Sequence, residues 1–296
     1  MALSVSDIVT LLFSGLTSAS LLFLVAAGLT LIFGAMQVIN IAHGSFYMFG
    51  AFIVASMVGS SAAHASVMFW LALVVSPLVV GALGALAEVV VLRRLYGREH
   101  LLQLLATFGL LYLFEGIALN IWGGRYRSID VPSALAGHFD LLGNSFSIYN
   151  LFIMVVAVLV GLFLWWLLQR TQLGWRIRAA VEDPEMLAAS GTDVGLLFTG
   201  VYALGAFLAA IAGVIVGPIQ SITTGLDTQI LVEAFIVVVI GGLGSIPGAA
   251  IGAVIIGLFE TAGVVWVPGF ASAFIYLAMI LVLVIRPSGL LGVAQR

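Results

Sequence analysis

The sequence predicts an all-α fold, a polytopic transmembrane helix bundle, and three observations predict it. Of 296 residues, 63% are hydrophobic and only 8% are charged, where a soluble domain carries about 25% charged residues. Residues 8–87 contain no Asp, Glu, Lys or Arg, which is room for about three crossings of roughly 20 residues each. Glycine occupies 34 positions, a usage that suits helices packing closely in lipid or breaking at membrane depth. With a mean hydropathy of +1.26, water is not the main solvent for this surface.

Residues 1–296 read as a single transmembrane domain of about eight or nine membrane segments. No basic residue precedes the first apolar stretch, so no cleaved signal peptide is expected and that stretch should remain a membrane helix. Spans are expected near 8–33, 38–58 and 67–92, closed by the R-R-L-Y-G-R-E-H cluster at 93–100. Further spans follow near 101–121, 148–168 and 195–217. The last third holds two shorter segments, about 229–243 and 247–264, and a final span near 268–285. Broken or short helices are expected near residues 34–44 and 241–248.

Lysine is absent, so orientation rests on arginine. Arg93, Arg94 and Arg98 share one loop, Arg170, Arg176 and Arg178 another, and Arg286 and Arg296 sit at the C-terminus; only Arg125 and Arg127 fall on the other side. The positive-inside rule then places the N-terminus outside and the C-terminus in the cytoplasm. An odd number of crossings follows, nine if the late pair both cross and seven if they form a re-entrant hairpin. Loop 122–147 lies outside and loop 169–194 inside. Cysteine is absent, which removes disulfides and thiolate metal sites, and the net charge of −3 says little about partners.

Loop 169–194 is the most informative hydrophilic stretch. Asp183 followed by Pro184 is a strong helix start, with the carboxylate capping free amides and proline at the first helical position. Glu185 adds charge where the helix dipole favours it, and Gly191 is a natural stop. The product is a helix of about two turns, roughly 10 Å long. It is either a capped connector or an element presented to a cytoplasmic partner, with Trp175, Arg176 and Arg178 anchoring its approach.

Polar residues interrupt the first uncharged run. If 37–57 is helical, Gln37, Asn40, His43 or Gly44, and Tyr47 share one face. Such a face should point into protein or a hydrated cavity. It serves either interhelical hydrogen bonding or a lining for polar substrate, and His43 is either structural or a proton relay. The stretch G-G-L-G-S-I-P-G at 241–248, with Gly241, Gly242, Gly244 and Ser245, disfavours helix. It reads as a surface hairpin turn or as a broken helix lining a cavity. Glu88, a turn from Arg93, should form a neutralised pair. Glu115 is the best candidate for a paired or cavity-facing acid, while Asp227, Glu233 and Glu260 are expected near the outer surface, where water solvates them. No G-x-S-x-G or H-E-x-x-H supports an enzyme. Without lysine no G-x-x-x-x-G-K-[ST] loop can bind nucleotide here, so ATP hydrolysis, if used, must come from another subunit.

Together V-I-N-I-A-H-G-S-F-Y-M-F-G-A, A-A-V-E-D-P-E-M-L-A-A-S-G and V-V-V-I-G-G-L-G-S-I-P-G-A-A-I-G resemble the permease subunits of bacterial ABC importers for branched-chain amino acids, the H-type member of the pair. The resemblance extends to the R-P-S-G-L-L-G ending at 286–292. It implies a multi-pass permease of the bacterial inner membrane, paired with a second, M-type permease and two cytoplasmic ATPases that bind ATP and Mg. A periplasmic binding protein would deliver substrate; no cofactor is expected in this chain, and no nucleic acid as partner. It implies that Arg178, Glu182, Asp183, Pro184, Glu185, Ala188 and Gly191 belong to the loop coupling ATPase movement to the permease. The region of Asn40, His43 and Gly44 and the break at 241–248 would lie near the translocation path. Urea, short amides and other carboxylates stay open as cargo, and a proton-coupled transporter using Glu115 or His43, or a passive channel for a small neutral solute, is the competing reading.

Overall fold

The computed structural model describes residues 4–59 and 64–292, so Arg296 of the orientation argument lies outside the described residues. Among the described residues, nine helices form the bundle: α1 (Val5–Met36), α2 (His43–Gly59), α3 (Ala65–Val90), α4 (His100–Trp122), α5 (Ile148–Arg170), α8 (Val194–Val216), α9 (Leu226–Gly241), α10 (Ile246–Trp266) and α11 (Ala271–Ile285). Two more, α6 (Gln172–Glu182) and α7 (Pro184–Ala189), lie in the loop between α5 and α8. Among the described residues, α1, α3, α4, α5, α8 and α10 are long and apolar enough to cross a membrane, and α2 and α11 are shorter apolar helices. The breaks fall where expected, at 37–42 and 242–245.

α1 and α8 are the most buried spans, and α4 and α5 the most exposed. Their packing depends on glycine. α1 and α10 run antiparallel, with Gly257 against Gly15 and Ala19 near one end and Gly244 against Gly34 near the other. A Cβ on Gly257 would stand 2.5 Å from the Gly15 oxygen and the Ala19 nitrogen. α8 meets α1 where Gly28 faces Gly205, meets α2 where Gly213 lies under Tyr47, and meets α3 where Gly84 faces Ala206. Lipid offers no hydrophobic drive between helices, so close backbone approach of this kind supplies the association.

One end of the bundle gathers the 91–99 turn, α6, α7 and the α9–α10 turn. Glu88, with a fully buried side chain, pairs with Arg93 at 3.3 Å and accepts from Tyr96 at 2.6 Å and Thr199 at 2.5 Å. The neutralised pair is therefore present, and Arg93 also donates to the Gly195 carbonyl at 3.1 Å, tying this turn to α8. Burial, then donation to Glu88, pushes the Tyr96 hydroxyl above the ordinary tyrosine range. At the opposite end, strands β1 (His138–Leu141) and β2 (Asn144–Ser147) form an antiparallel hairpin. Its turn uses Leu142 and Gly143, both at positive φ. Asn144 fastens it to α1, donating to the Ser6 carbonyl at 2.9 Å.

The glycine seam gives a direct test. Gly257→Leu should destabilise the purified chain by about 1–3 kcal/mol, because the added carbons meet main chain rather than a movable side chain. Gly116→Ala, where nothing lies within 4 Å of an added Cβ, should be neutral or slightly stabilising. Thermal melting in detergent separates the two.

Candidate functional site

Two helices begin inside the bundle. α1 ends at Gln37, whose φ of 54° is left-handed and whose N–H bonds Phe33. The chain then runs without regular structure to His43, where α2 starts. Gln37 is therefore exposed and separated from Tyr47 by a break, so the expected single helical face over 37–57 is not formed. Asn40, His43, Gly44, Ser45 and Tyr47 are all buried. An irregular segment at such depth has to satisfy its main chain from within. Ile39 accepts from Thr107 of α4 at 3.1 Å; Asn40 and Ala42 carbonyls accept from His43 and Ser45 at 3.3 and 3.1 Å. The Asn40 amide oxygen accepts from Tyr202 of α8 at 3.0 Å.

α9 begins the same way. After α8 ends at Val216, residues 217–225 return along the bundle, pinned where Ile222 and Arg127 exchange backbone bonds of 2.8 and 3.0 Å. α9 then starts beside α2: Gly44 is so close to the Asp227 backbone that a Cβ would overlap it. Ser45 donates to the Asp227 carboxylate at 3.3 Å, and the Thr228 N–H donates to its other oxygen at 2.9 Å. The two helices start nose to nose and diverge. α2 runs to the hairpin end, where Ser56 accepts from Trp122 at 2.7 Å, and α9 runs to the α6 end. The device α1–break–α2 is repeated, with opposite sense, as α8–break–α9.

The expectation that Asp227 sits in surface water is wrong. Its side chain is fully buried, because it lies at the start of both α2 and α9, where unpaired N–H groups favour negative charge. Glu115 lies within electrostatic reach of Asp227, half-buried. Glu233, also half-buried, accepts from Gln229 at 3.4 Å, and lies near Glu260 and Tyr47. The ion pair Arg93–Glu88 is the only one among the described residues, so no arginine neutralises this acidic centre. His43 donates from Nε2 to the Val25 carbonyl at 3.1 Å, since a carbonyl only accepts, and its Nδ1 has no partner. That geometry anchors the α2 start to α1.

The glycine break lies elsewhere, at the α6 end. Gly242 and Gly244 take positive φ of 102° and 81°. Gly241 packs on Gly248, and Ser245 caps α10 by accepting from the Gly248 N–H at 3.1 Å. The last carbonyls of α9 are bonded by the C-terminal tail, Leu290 to Ile240 at 2.8 Å and Leu291 to Gly241 at 3.0 Å. The R-P-S-G-L-L-G ending is thus the plug for this break.

In the α5–α8 loop, Asp183 accepts from the Met186 N–H at 2.8 Å, Pro184 opens α7, and Gly191 closes it at φ 88°. Glu182, Asp183, Pro184, Glu185 and Ala188 are exposed, and α7 has no buried residue. α6 was not foreseen, although Leu173, Ile177 and Ala180 repeat at helical spacing. It buries Ile177 and Ala180, and Arg178 donates to the Leu168 carbonyl at 2.6 Å while lying 4.7 Å from the Trp175 ring. Between α6, the end of α1 and the α9–α10 turn is a cavity of about 550 Å³.

The model of the family "Branched-chain amino acid transport system / permease component" matches residues 11–283. The high-affinity branched-chain amino acid transport system permease protein BraD of Pseudomonas aeruginosa is 31% identical, covering 95% of this chain and 94% of its own. LivH of Escherichia coli, of the same description, is 27% identical over 95% of this chain and 94% of its own. The fructose import permease protein FrcC of Rhizobium meliloti is 33% identical across 45% of this chain and 40% of its own. No solved structure matches. The chain belongs to this permease family and is a multi-pass membrane protein.

Tyr202→Phe tests the buried joint. It leaves the Asn40 oxygen without its donor, at a cost of about 1–3 kcal/mol. Faster hydrogen exchange is expected across residues 38–45, with α10 unchanged; unchanged exchange at 38–45 would contradict this role.

Proposed function

We propose that this member of the family is the H-type permease subunit of an ABC importer for branched-chain amino acids in the bacterial inner membrane. Its N-terminus lies outside and its C-terminus in the cytoplasm, as the arginine distribution favours. A second, M-type permease completes the path, two cytoplasmic ATPases bind ATP and Mg, and a periplasmic protein delivers cargo. Near-complete alignment with BraD and LivH supports the amino-acid cargo, since both are described as branched-chain amino acid permeases over more than nine-tenths of their lengths.

The observation that carries the coupling role is α7. A helix of six residues with no buried side chain gains little from packing, and isolated helices this short are marginal. It is held by the Asp183 cap, by Pro184 and by the Gly191 stop, and it presents Met186 with 73% of its surface exposed. A local scaffold that fixes an exposed methionine suits contact with a partner subunit. In this reading α7 docks on an ATPase, α6 transmits its movement to α1, and the α2–α9 joint with Asn40, His43, Gly44, Tyr47 and Glu115 lies along the path. Gly241, Gly242, Gly244 and Ser245 form the hinge region between the path and α6.

The acidic centre has a consequence for cargo. With Glu115, Asp227, Glu233 and Glu260 unopposed by arginine, the path favours an ammonium group over a carboxylate. Amino acids therefore suit it better than carboxylates lacking an amine.

Met186→Arg and Glu185→Arg should reduce ATP-driven uptake at least tenfold while the variants reach the membrane at normal levels, because both sit on an exposed face. Wild-type uptake in both would remove the docking role. Gradient-driven flux through the isolated chain in liposomes would instead favour the proton-coupled or channel reading.

A further inference from the structure

α7 and α8 are joined without slack. The N–H groups of Ser190, Gly191 and Thr192 all bond back onto α7, to the carbonyls of Met186 at 3.1 Å, Ala188 at 2.9 Å and Leu187 at 3.4 Å. The next residue, Asp193, already caps α8 by accepting from the Leu196 N–H at 2.9 Å. Movement of α7 therefore passes straight into the first turn of α8.

The first turns of α8 are held along one row, because Gly195, Thr199 and Tyr202 follow at helical spacing. Arg93 donates to the Gly195 carbonyl at 3.1 Å, and Thr199 donates to the Glu88 carboxylate at 2.5 Å. Arg93 also grips both Glu88 oxygens, through Nε at 3.4 Å and Nη2 at 3.3 Å. A turn deeper, Tyr202 donates to the Asn40 oxygen at 3.0 Å. It also lies within electrostatic reach of Glu88. One row of α8 thus touches the 91–99 turn at its start and the break before α2 further on.

Thr199 has one hydroxyl proton and two acceptors for it. Glu88 lies across the helices at 2.5 Å, and the Gly195 carbonyl lies one turn back on its own helix at 2.9 Å. Thr17, Ser20 and Thr261 make the second kind of bond, to Phe13, Leu16 and Gly257. When Thr199 parts from Glu88 it falls back on that bond, while Arg93 and Tyr96 still serve the carboxylate. The contact opens without stranding a buried donor or acceptor, which is the costly case.

We propose that Glu88, Arg93 and Thr199 form a latch between the coupling loop and the path, with Thr199 as its positioning residue. Closed, the latch sets the α8 row so that Tyr202 holds Asn40. Movement of α7 releases Thr199 from Glu88, turns the row and frees the α2–α9 joint. This role rests on the importer reading above, and α8 provides the route.

The test compares Thr199→Val, which keeps the shape and removes the hydroxyl, with Thr199→Ser, which keeps the hydroxyl. The complex isolated with its partner subunits is placed in liposomes, and leucine uptake and ATP hydrolysis are measured together. Thr199→Val should lower uptake per ATP hydrolysed by about fivefold, the size expected of one coupling contact. Thr199→Ser should restore the ratio. Combined with Tyr202→Phe, Thr199→Val should add little further loss, since the two act on one route. In the full-length chain alone, Thr199→Val should speed hydrogen exchange across residues 38–45 and leave α10 unchanged. A ratio equal to the parent's, uptake and hydrolysis falling in proportion, or an additive double variant would overturn the latch, as would unchanged exchange at 38–45. The exchange arm needs no ATPase, so it tests the latch even where the parent complex shows no ATP-driven uptake, the result that would sink the importer reading instead.

Discussion

Main chain that leaves a helix inside an apolar bundle must find its hydrogen bonds within the protein, and the architecture of this permease follows from that constraint. Residues 37–42 and 217–225 are irregular, and each delivers the chain to a helix start in the interior. The two starts meet where Gly44 lies against Asp227. Side-chain donors from α4, α8 and α2, namely Thr107, Tyr202 and Ser45, reach in to satisfy the segment at Ile39, Asn40 and Asp227. α8 has to run through the centre to serve this joint, and its small residues let α1, α2 and α3 close around it. A polar centre in lipid is costly, so its persistence points to use rather than to stability.

α1 connects the parts that matter for function. One face holds the α2 start through Val25 and His43, the next turns carry Gly28 against α8, and its end meets Gly244 and the cavity beside α6. A displacement of α6 thus has a short mechanical route to the joint through a single helix. The C-terminal tail, bonded to the last carbonyls of α9, holds the other side of that route.

Much of this was legible in the sequence, for identifiable reasons. Uncharged runs long enough to span located the nine bundle helices to within a few residues, and the Asp183–Pro184 and Gly191 signals located α7, because caps and stops are local chemistry. What was not legible depends on distant partners. Asp227 looked like a surface acid since nothing nearby in sequence reveals that Gly44 and Ser45 pack on it. Gln37 was grouped with Tyr47 by helical spacing, which fails once a left-handed residue ends α1. The β1–β2 hairpin rests on Leu142 at positive φ, a conformation its residue type does not advertise. α6 carries apolar residues at helical spacing, but at 11 residues with two arginines and few buried side chains it gives no signal of a span. The Thr199 and Tyr96 contacts to Glu88 required α3 and α8 to be neighbours first.

The central claim is that this chain is a conduit with no energy source of its own, driven through its exposed α7 by partner subunits. Purification of the chain from its native membrane in mild detergent, with mass spectrometry of what accompanies it, tests this most directly. Recovery of a second hydrophobic permease together with two ATPase subunits is the expected result. A chain that emerges alone and still moves solute down a gradient in liposomes would contradict the account.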